Sequence, residues 1–306
     1  MHRRRQAEAR RSGDDGCGRA VRHLVHVGFT KAGSKFLQKW FGSHPQLTYA
    51  RWGIAGFADV HEMARRAAAA GLSGWCVTSF EGFVLPLADY GVFDERRRDV
   101  LVAWHGGRLR VCKRLAELFP NATILIVTRG FRGIIASHHS ELVRGGAICT
   151  LAELSGLVAD LATRGRNPFD YDAMIAAYEQ AFGATRVIVL PYELLAADPP
   201  AFVAAIERRL GLDPFPSPVG RVRPAMPARQ LEWHQRLSRA MRAVPVGAAL
   251  REHLIRRYVA AARRGRFDRL FRLLGRLPAP ETPADAIAAE HLDGLRGFAD
   301  RLRDYP

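Results

Sequence analysis

Residues 27–37 read Val27-Gly28-Phe29-Thr30-Lys31-Ala32-Gly33-Ser34-Lys35-Phe36-Leu37, and the fold class follows from how this stretch is parsed. His23 to Val27 ahead of it form a short apolar run. Behind it, Phe36, Leu37, Trp40 and Phe41 recur at helical spacing. The order is strand, loop, helix. A glycine-bounded turn in that setting exposes successive backbone N–H groups, and the following helix adds the positive end of its dipole, so the loop is a cradle for phosphate or sulfate. A triphosphate-binding loop reads G-x-x-x-x-G-K-[ST]. From Gly28 this chain reads G-F-T-K-A-G-S-K: hydroxyl and lysine have exchanged places, and Lys31 stands in mid-loop.

Further strands are expected at Trp75 to Thr78, Thr123 to Thr128 (TILIVT, the strongest buried-strand signal) and Arg186 to Leu190. Helices are expected at Asp59 to Ala70, Arg108 to Phe119, Ile134 to Arg144, Leu151 to Thr163 and Pro200 to Leu210. Lys113 and Arg114 read as the solvated face of theirs. Strands alternating with helices imply an α/β fold: three layers around a central parallel sheet, with ligands beyond the carboxyl ends of the strands. After the proline cluster DPFPSP the pattern becomes arginine-rich and helical. The expected organisation is a disordered basic leader (1–20), an α/β core (21–214) and a helical C-terminal region (215–306) completing the same domain.

With 306 residues, 48% of them hydrophobic, the chain has material for a large core. No apolar run reaches the roughly 18 residues of a membrane span, and the arginines of the leader lack the apolar stretch of a secretory signal. A cytoplasmic protein is expected. Cys17, Cys76, Cys112 and Cys149 are too scattered for a zinc site or a disulfide framework. The net charge of +16 favours anionic partners. Nothing resembling a helix-turn-helix, zinc knuckle or aromatic stripe accompanies it, which disfavours nucleic acid.

A triphosphatase holds magnesium with the hydroxyl after its loop lysine and an aspartate ending a second buried strand. Here that strand, TILIVT, is followed by Arg129, which repels a cation and suits a second anion. Ser137, eight residues on, falls early in the next helix, where guanidinium and hydroxyl converge on one phosphate. Two anion sites at two strand ends imply one ligand with two separated anionic groups.

Lys31-Ala32-Gly33-Ser34, the Arg129/Ser137 pair and Pro191-Tyr192-Glu193-Leu194-Leu195 together resemble the sulfotransferases that use 3′-phosphoadenosine 5′-phosphosulfate (PAPS), over roughly Arg22 to Leu212. The resemblance implies a P-loop-like sulfotransferase fold of the bacterial type. It implies that Lys31, Gly33, Ser34 and Lys35 line the 5′-phosphosulfate site, that Arg129 and Ser137 bind the 3′-phosphate, and that Tyr192 and Phe36 lie near the adenine. Arg221 and Arg223 fall where the family often returns to the 3′-phosphate. Two departures stand out: Lys35 replaces a second loop hydroxyl, and Phe36 replaces a common tryptophan.

The implied reaction is metal-free in-line transfer of a sulfuryl group to a hydroxyl, less readily an amine, with Lys31 stabilising the leaving phosphate. Glu81, after the Trp75 strand, is the first candidate for general base and His105 the second; His138 and His139 beside Ser137 are further candidates. The acceptor is a small molecule, a lipid or a glycan, and the helical C-terminal region shapes the acceptor site or a dimer contact. The rivals are a P-loop kinase and a non-catalytic basic protein that binds nucleic acid or an anionic surface.

Overall fold

The computed structural model describes residues 22–29, 31–49, 74–80, 83, 109–218, 228–267, 269–270, 273 and 287–304. The expected leader 1–20 and the expected helix at Asp59 to Ala70 lie outside them. Strands β1 (Arg22–Gly28), β2 (Leu47–Tyr49), β3 (Trp75–Ser79), β4 (Thr123–Thr128) and β5 (Val187–Pro191) form one sheet in the order β2-β3-β1-β4-β5, and every pairing is parallel. Central strands of such a sheet are covered on both faces, so they read as unbroken apolar runs rather than alternating ones. Leu24, Val25 and Val27 of β1 and Ile124 to Val127 of β4 are accordingly fully buried. β2 was not expected from sequence: its three residues are too few for any period to show.

Helix α1 (Ser34–Ser43) buries Phe36, Leu37, Trp40 and Phe41, the four residues whose spacing predicted it. Residues 109–118 are helical, with Val111, Cys112 and Leu115 inward and Lys113 and Arg114 exposed as expected. Then follow α2 (Phe131–Arg144), α3 (Leu151–Thr163), α4 (Tyr171–Phe182), α5 (Tyr192–Ala197) and α6 (Pro199–Leu210). Their starts are written locally. Thr150 and Glu153 form a capping box at α3, Asp170 caps α4, and Asp198 caps α6 with proline at its first turn.

The arginine-rich region folds as α7 (Ala228–Ala243), α8 (Ala248–Arg263) and a short α9 (Ala289–Asp293). Ile255, Tyr258, Val259 and Ala262 of α8 make a small core of their own with Leu237 and Met241 of α7. One stripe of α7 does something else. Gln235, Arg239 and Arg242, spaced four and three apart, donate to the carbonyls of Cys149, Ile148 and Gly146 at 2.7, 3.2 and 3.1 Å. The two arginines, together with Gln235, pin the loop that leaves α2.

Trp40 has no exposed surface and lies against the sheet. Trp40→Ala should lower the unfolding free energy by about 3–5 kcal/mol, read as a fall in denaturant midpoint at unchanged slope. An unmoved midpoint would mean that α1 does not close the core.

Candidate active site

The carboxyl ends of β1, β3, β4 and β5 lie along one edge at Gly28, Ser79, Thr128 and Pro191. β1 lies between β3 and β4, so the chain leaves it toward one side and later crosses to the other. Such a reversal opens a crevice at the strand ends. Phe29, directly after β1, turns into the core with no exposed surface, its ring 4.7 Å edge-on from Tyr171. That buried anchor forces the next residues outward. Lys31 sits at φ 69, the only non-glycine residue with positive φ among the described residues, and Gly33, the N-cap of α1, at φ 87. Strain of this kind in a non-glycine residue costs about 1–3 kcal/mol and concentrates at functional sites.

Both glycines are required sterically. A Cβ on Gly33 would lie 2.4 Å from Leu195 Cδ2, and one on Gly28 would lie 2.7 Å from His26 Nε2 and 3.0 Å from Ser34 Oγ. Ser34 opens α1, where the first N–H groups have no intrahelical acceptor. Its hydroxyl is buried and has no hydrogen-bond partner. A buried, unpaired hydroxyl at the positive end of a ten-residue helix suits an anion.

Arg129 leaves the end of β4 and donates through Nη1 to the Lys31 carbonyl at 2.7 Å. Its guanidinium stacks on the Tyr192 ring at 4.5 Å, and its own carbonyl accepts the Tyr171 hydroxyl at 2.5 Å. Glu193 accepts the Gly130 N–H at 2.9 Å. The Tyr-Glu-Leu-Leu stretch thus braces both turns: Tyr192 and Leu195 back Gly33, and Glu193 holds Gly130. The side chain of Lys31 is also committed, donating to Glu141 Oε2 of α2 at 2.6 Å. Sequence reasoning missed Glu141. The available signal was its place one helical turn after Ser137, as the one acid in α2.

Lys31, Gly33, Ser34, Arg129 and Tyr192 therefore come together, and Ser137, half-buried on α2, shares its helix with Glu141. Lys35 is exposed and donates to Gln38 Oε1 at 3.1 Å, while Gln38 reaches Ser79 Oγ at 3.4 Å. Phe36 is packed in the core on the inner face of α1. Glu81, His105, Arg221 and Arg223 lie outside the described residues. His138 is buried beside Lys31 and Glu141, and His139 faces the Cys149 carbonyl at 2.8 Å. Among the described residues no group of three or more His, Cys, Asp or Glu is placed to hold a metal ion.

Burial holds His26 down to about 3 and His138 to about 4; for His138, Glu141 opposes the shift and Lys31 adds to it. Both are neutral when folded and protonate near 6.5 when unfolded, so the unfolded chain gains protons first as pH falls. Their stabilisation is complete above about pH 6.5 and is lost progressively toward pH 4 and below. His138→Gln should flatten the fall in melting temperature between pH 6.5 and 4; an unchanged slope would show that His138 is not the titrating group. Gly33→Ala should lower stability by about 1–3 kcal/mol and weaken phosphate-type ligands, since φ 87 and Leu195 both oppose a methyl group. Unaltered stability and ligand binding would contradict the cradle geometry.

No curated protein matches the chain. Among solved structures, the fold is similar to that of a sulfotransferase from Alicyclobacillus acidocaldarius, at 18% identity and a TM-score of 0.48, covering 79% of this chain and 98% of that one. Residues 105–217, the stretch that carries Arg129, Ser137, Glu141 and Tyr192, match the model of the Sulfotransferase family. That match spans less than half of the chain, and over that stretch the chain is similar to the family.

Proposed function

We propose that the protein transfers a sulfuryl group from PAPS to a hydroxyl acceptor, less readily to an amine, by metal-independent in-line displacement. One observation carries the reading: the buried, unpaired Ser34 hydroxyl at the head of α1 lies in a loop whose lysine is tied by its carbonyl to Arg129. Cationic sites at the ends of β1 and β4 are thus held at a fixed separation. That suits one donor with a phosphosulfate and a distant phosphate better than a single anion.

In this reading Gly33, Ser34 and the first N–H groups of α1 hold the phosphosulfate. Arg129 and Ser137 take the 3′-phosphate, with Arg221 and Arg223 as further ligands for it, while Tyr192 borders the adenine, Phe36 backs the loop from the core and Lys35 adds positive potential at the rim. PAPS supplies its own activated leaving group. Lys31 neutralises charge building on the departing phosphate, a role typically worth about 2.7–4 kcal/mol. Glu81, or His105 in its place, removes the acceptor proton. Residues 21–214 would form the donor-binding core, with 215–306 completing the domain around a small-molecule, lipid or glycan acceptor.

A kinase of related loop design is the second reading, and Arg129 counts against it, because it follows β4 where a magnesium-binding aspartate belongs. The test is a melting-temperature screen with PAPS and its desulfated product, followed by acceptor trials with labelled PAPS. Both nucleotides should raise the melting temperature, and chelators should leave transfer intact. Lys31→Ala should lower transfer by about 10²–10³-fold. Full activity in that variant, or a strict need for magnesium, would overturn the assignment.

A further inference from the structure

Lys31 is held at both ends before any ligand arrives. Its carbonyl accepts from Arg129 at 2.7 Å, and its ammonium donates to Glu141 at 2.6 Å. The two side chains of the ion pair are 31% and 28% exposed, so the pair is neither sealed in the core nor fully screened. Glu141 comes from α2, one turn after Ser137, on the helix that begins directly beyond Arg129-Gly130. Its carboxylate therefore lies on the element expected to hold one phosphate and grips the lysine expected to serve the other.

We infer that Glu141 is a positioning residue that latches Lys31 away from the anion cradle, and that an anion entering the cradle must take the lysine from it. This rests on the sulfuryl-transfer reading of the same site. The physical reasons are three. An ammonium at φ 69 in a loop beside a helix N-terminus is repelled by the partial positive charge there, and a carboxylate at 2.6 Å removes that repulsion. Lysine, with one compact charge on a flexible stem, exchanges one anionic partner for another without rebuilding the loop. Arg129 fixes only the backbone of Lys31, so the side chain can leave Glu141 while its carbonyl stays in place.

The latch competes with ligand, and the competition has a measurable sign. Glu141→Gln keeps the shape and removes the charge, so the variant should bind adenosine 3′,5′-bisphosphate more tightly by about twofold to fivefold, the upper part of the range for partly exposed ion pairs. A general loss of negative charge near an anion site would also tighten binding, so Lys31 supplies the control. In a Lys31→Met background the same Glu141→Gln change should alter the dissociation constant by less than about twofold, because the coupling is absent. Glu141→Asp, which retains charge on a shorter arm, should fall between wild type and Glu141→Gln.

The measurement is titration calorimetry on the full chain for all five proteins: wild type, the three single variants and the double variant. Each is first checked for an unfolding transition. Equal tightening by Glu141→Gln with and without Lys31 overturns the latch in favour of plain electrostatics, and no tightening or weaker binding in Glu141→Gln overturns it outright. If Glu141→Gln fails to fold, Glu141→Asp replaces it in the cycle, measured alone and in a sixth protein that combines it with Lys31→Met. Failure of wild type itself to bind the bisphosphate while keeping its fold overturns the sulfuryl-transfer reading, and with it the inference.

Discussion

The hydrogen bond from the Arg129 guanidinium to the Lys31 carbonyl is the constraint on which the site depends. It joins the turn after β1 to the turn after β4, two neighbouring strands whose register is set by the sheet at Gly28 opposite Val127. Sheet pairing alone brings strand ends together but does not orient the loops beyond them. Arg129 does so, and it is fixed in turn by the Tyr171 hydroxyl on its carbonyl and the Tyr192 ring under its guanidinium. Without this tie, Lys31 would have little reason to stay in a conformation that a non-glycine residue disfavours.

The second dependence runs through α2. That helix carries Ser137 and Glu141, and its far end is continuous with the loop whose Gly146, Ile148 and Cys149 carbonyls are taken by Arg242, Arg239 and Gln235 of α7. Hydrogen bonds from charged donors to backbone carbonyls are stronger than neutral ones and leave fewer ways for the loop to shift. Part of the arginine excess that looks from sequence like a field for anionic partners is therefore mortar between α7 and the loop after α2.

The sequence made the fold legible where patterns were long. TILIVT and the Phe36/Leu37/Trp40/Phe41 spacing each announced their element, because burial on one face or both leaves a period that a single chain displays. β2, at three residues, shows no period, and α4 went unnoticed although Asp170 caps it, since its buried Tyr171, Met174, Ile175 and Tyr178 are a mixed set. The site was legible as residue types at spacings: loop, arginine, serine. What escaped was pairing across distance. The partners Lys31 and Glu141 are 110 positions apart, and no local rule links a loop lysine to the middle of a later helix.

Lys35 shows what the loop demands of the two positions that open α1. With Gly33 as N-cap, Ser34 is the first helical residue and turns inward, whereas Lys35, the second, points to solvent and is exposed. The inward place needs a small polar group that fits beside Gly28; the outward place has no such demand. A cation there is still unfavourable for the bare helix, whose first turn contains no acidic residue, since charges of that sign near a helix N-terminus cost about 0.3–1 kcal/mol. Lys31 and Arg129 add to the same positive end, and Glu141 offsets part of it through Lys31. A site that collects an excess of positive charge around an unpaired buried hydroxyl is less stable by itself than with an anion in place, and that imbalance sets the sign of the ligand it selects.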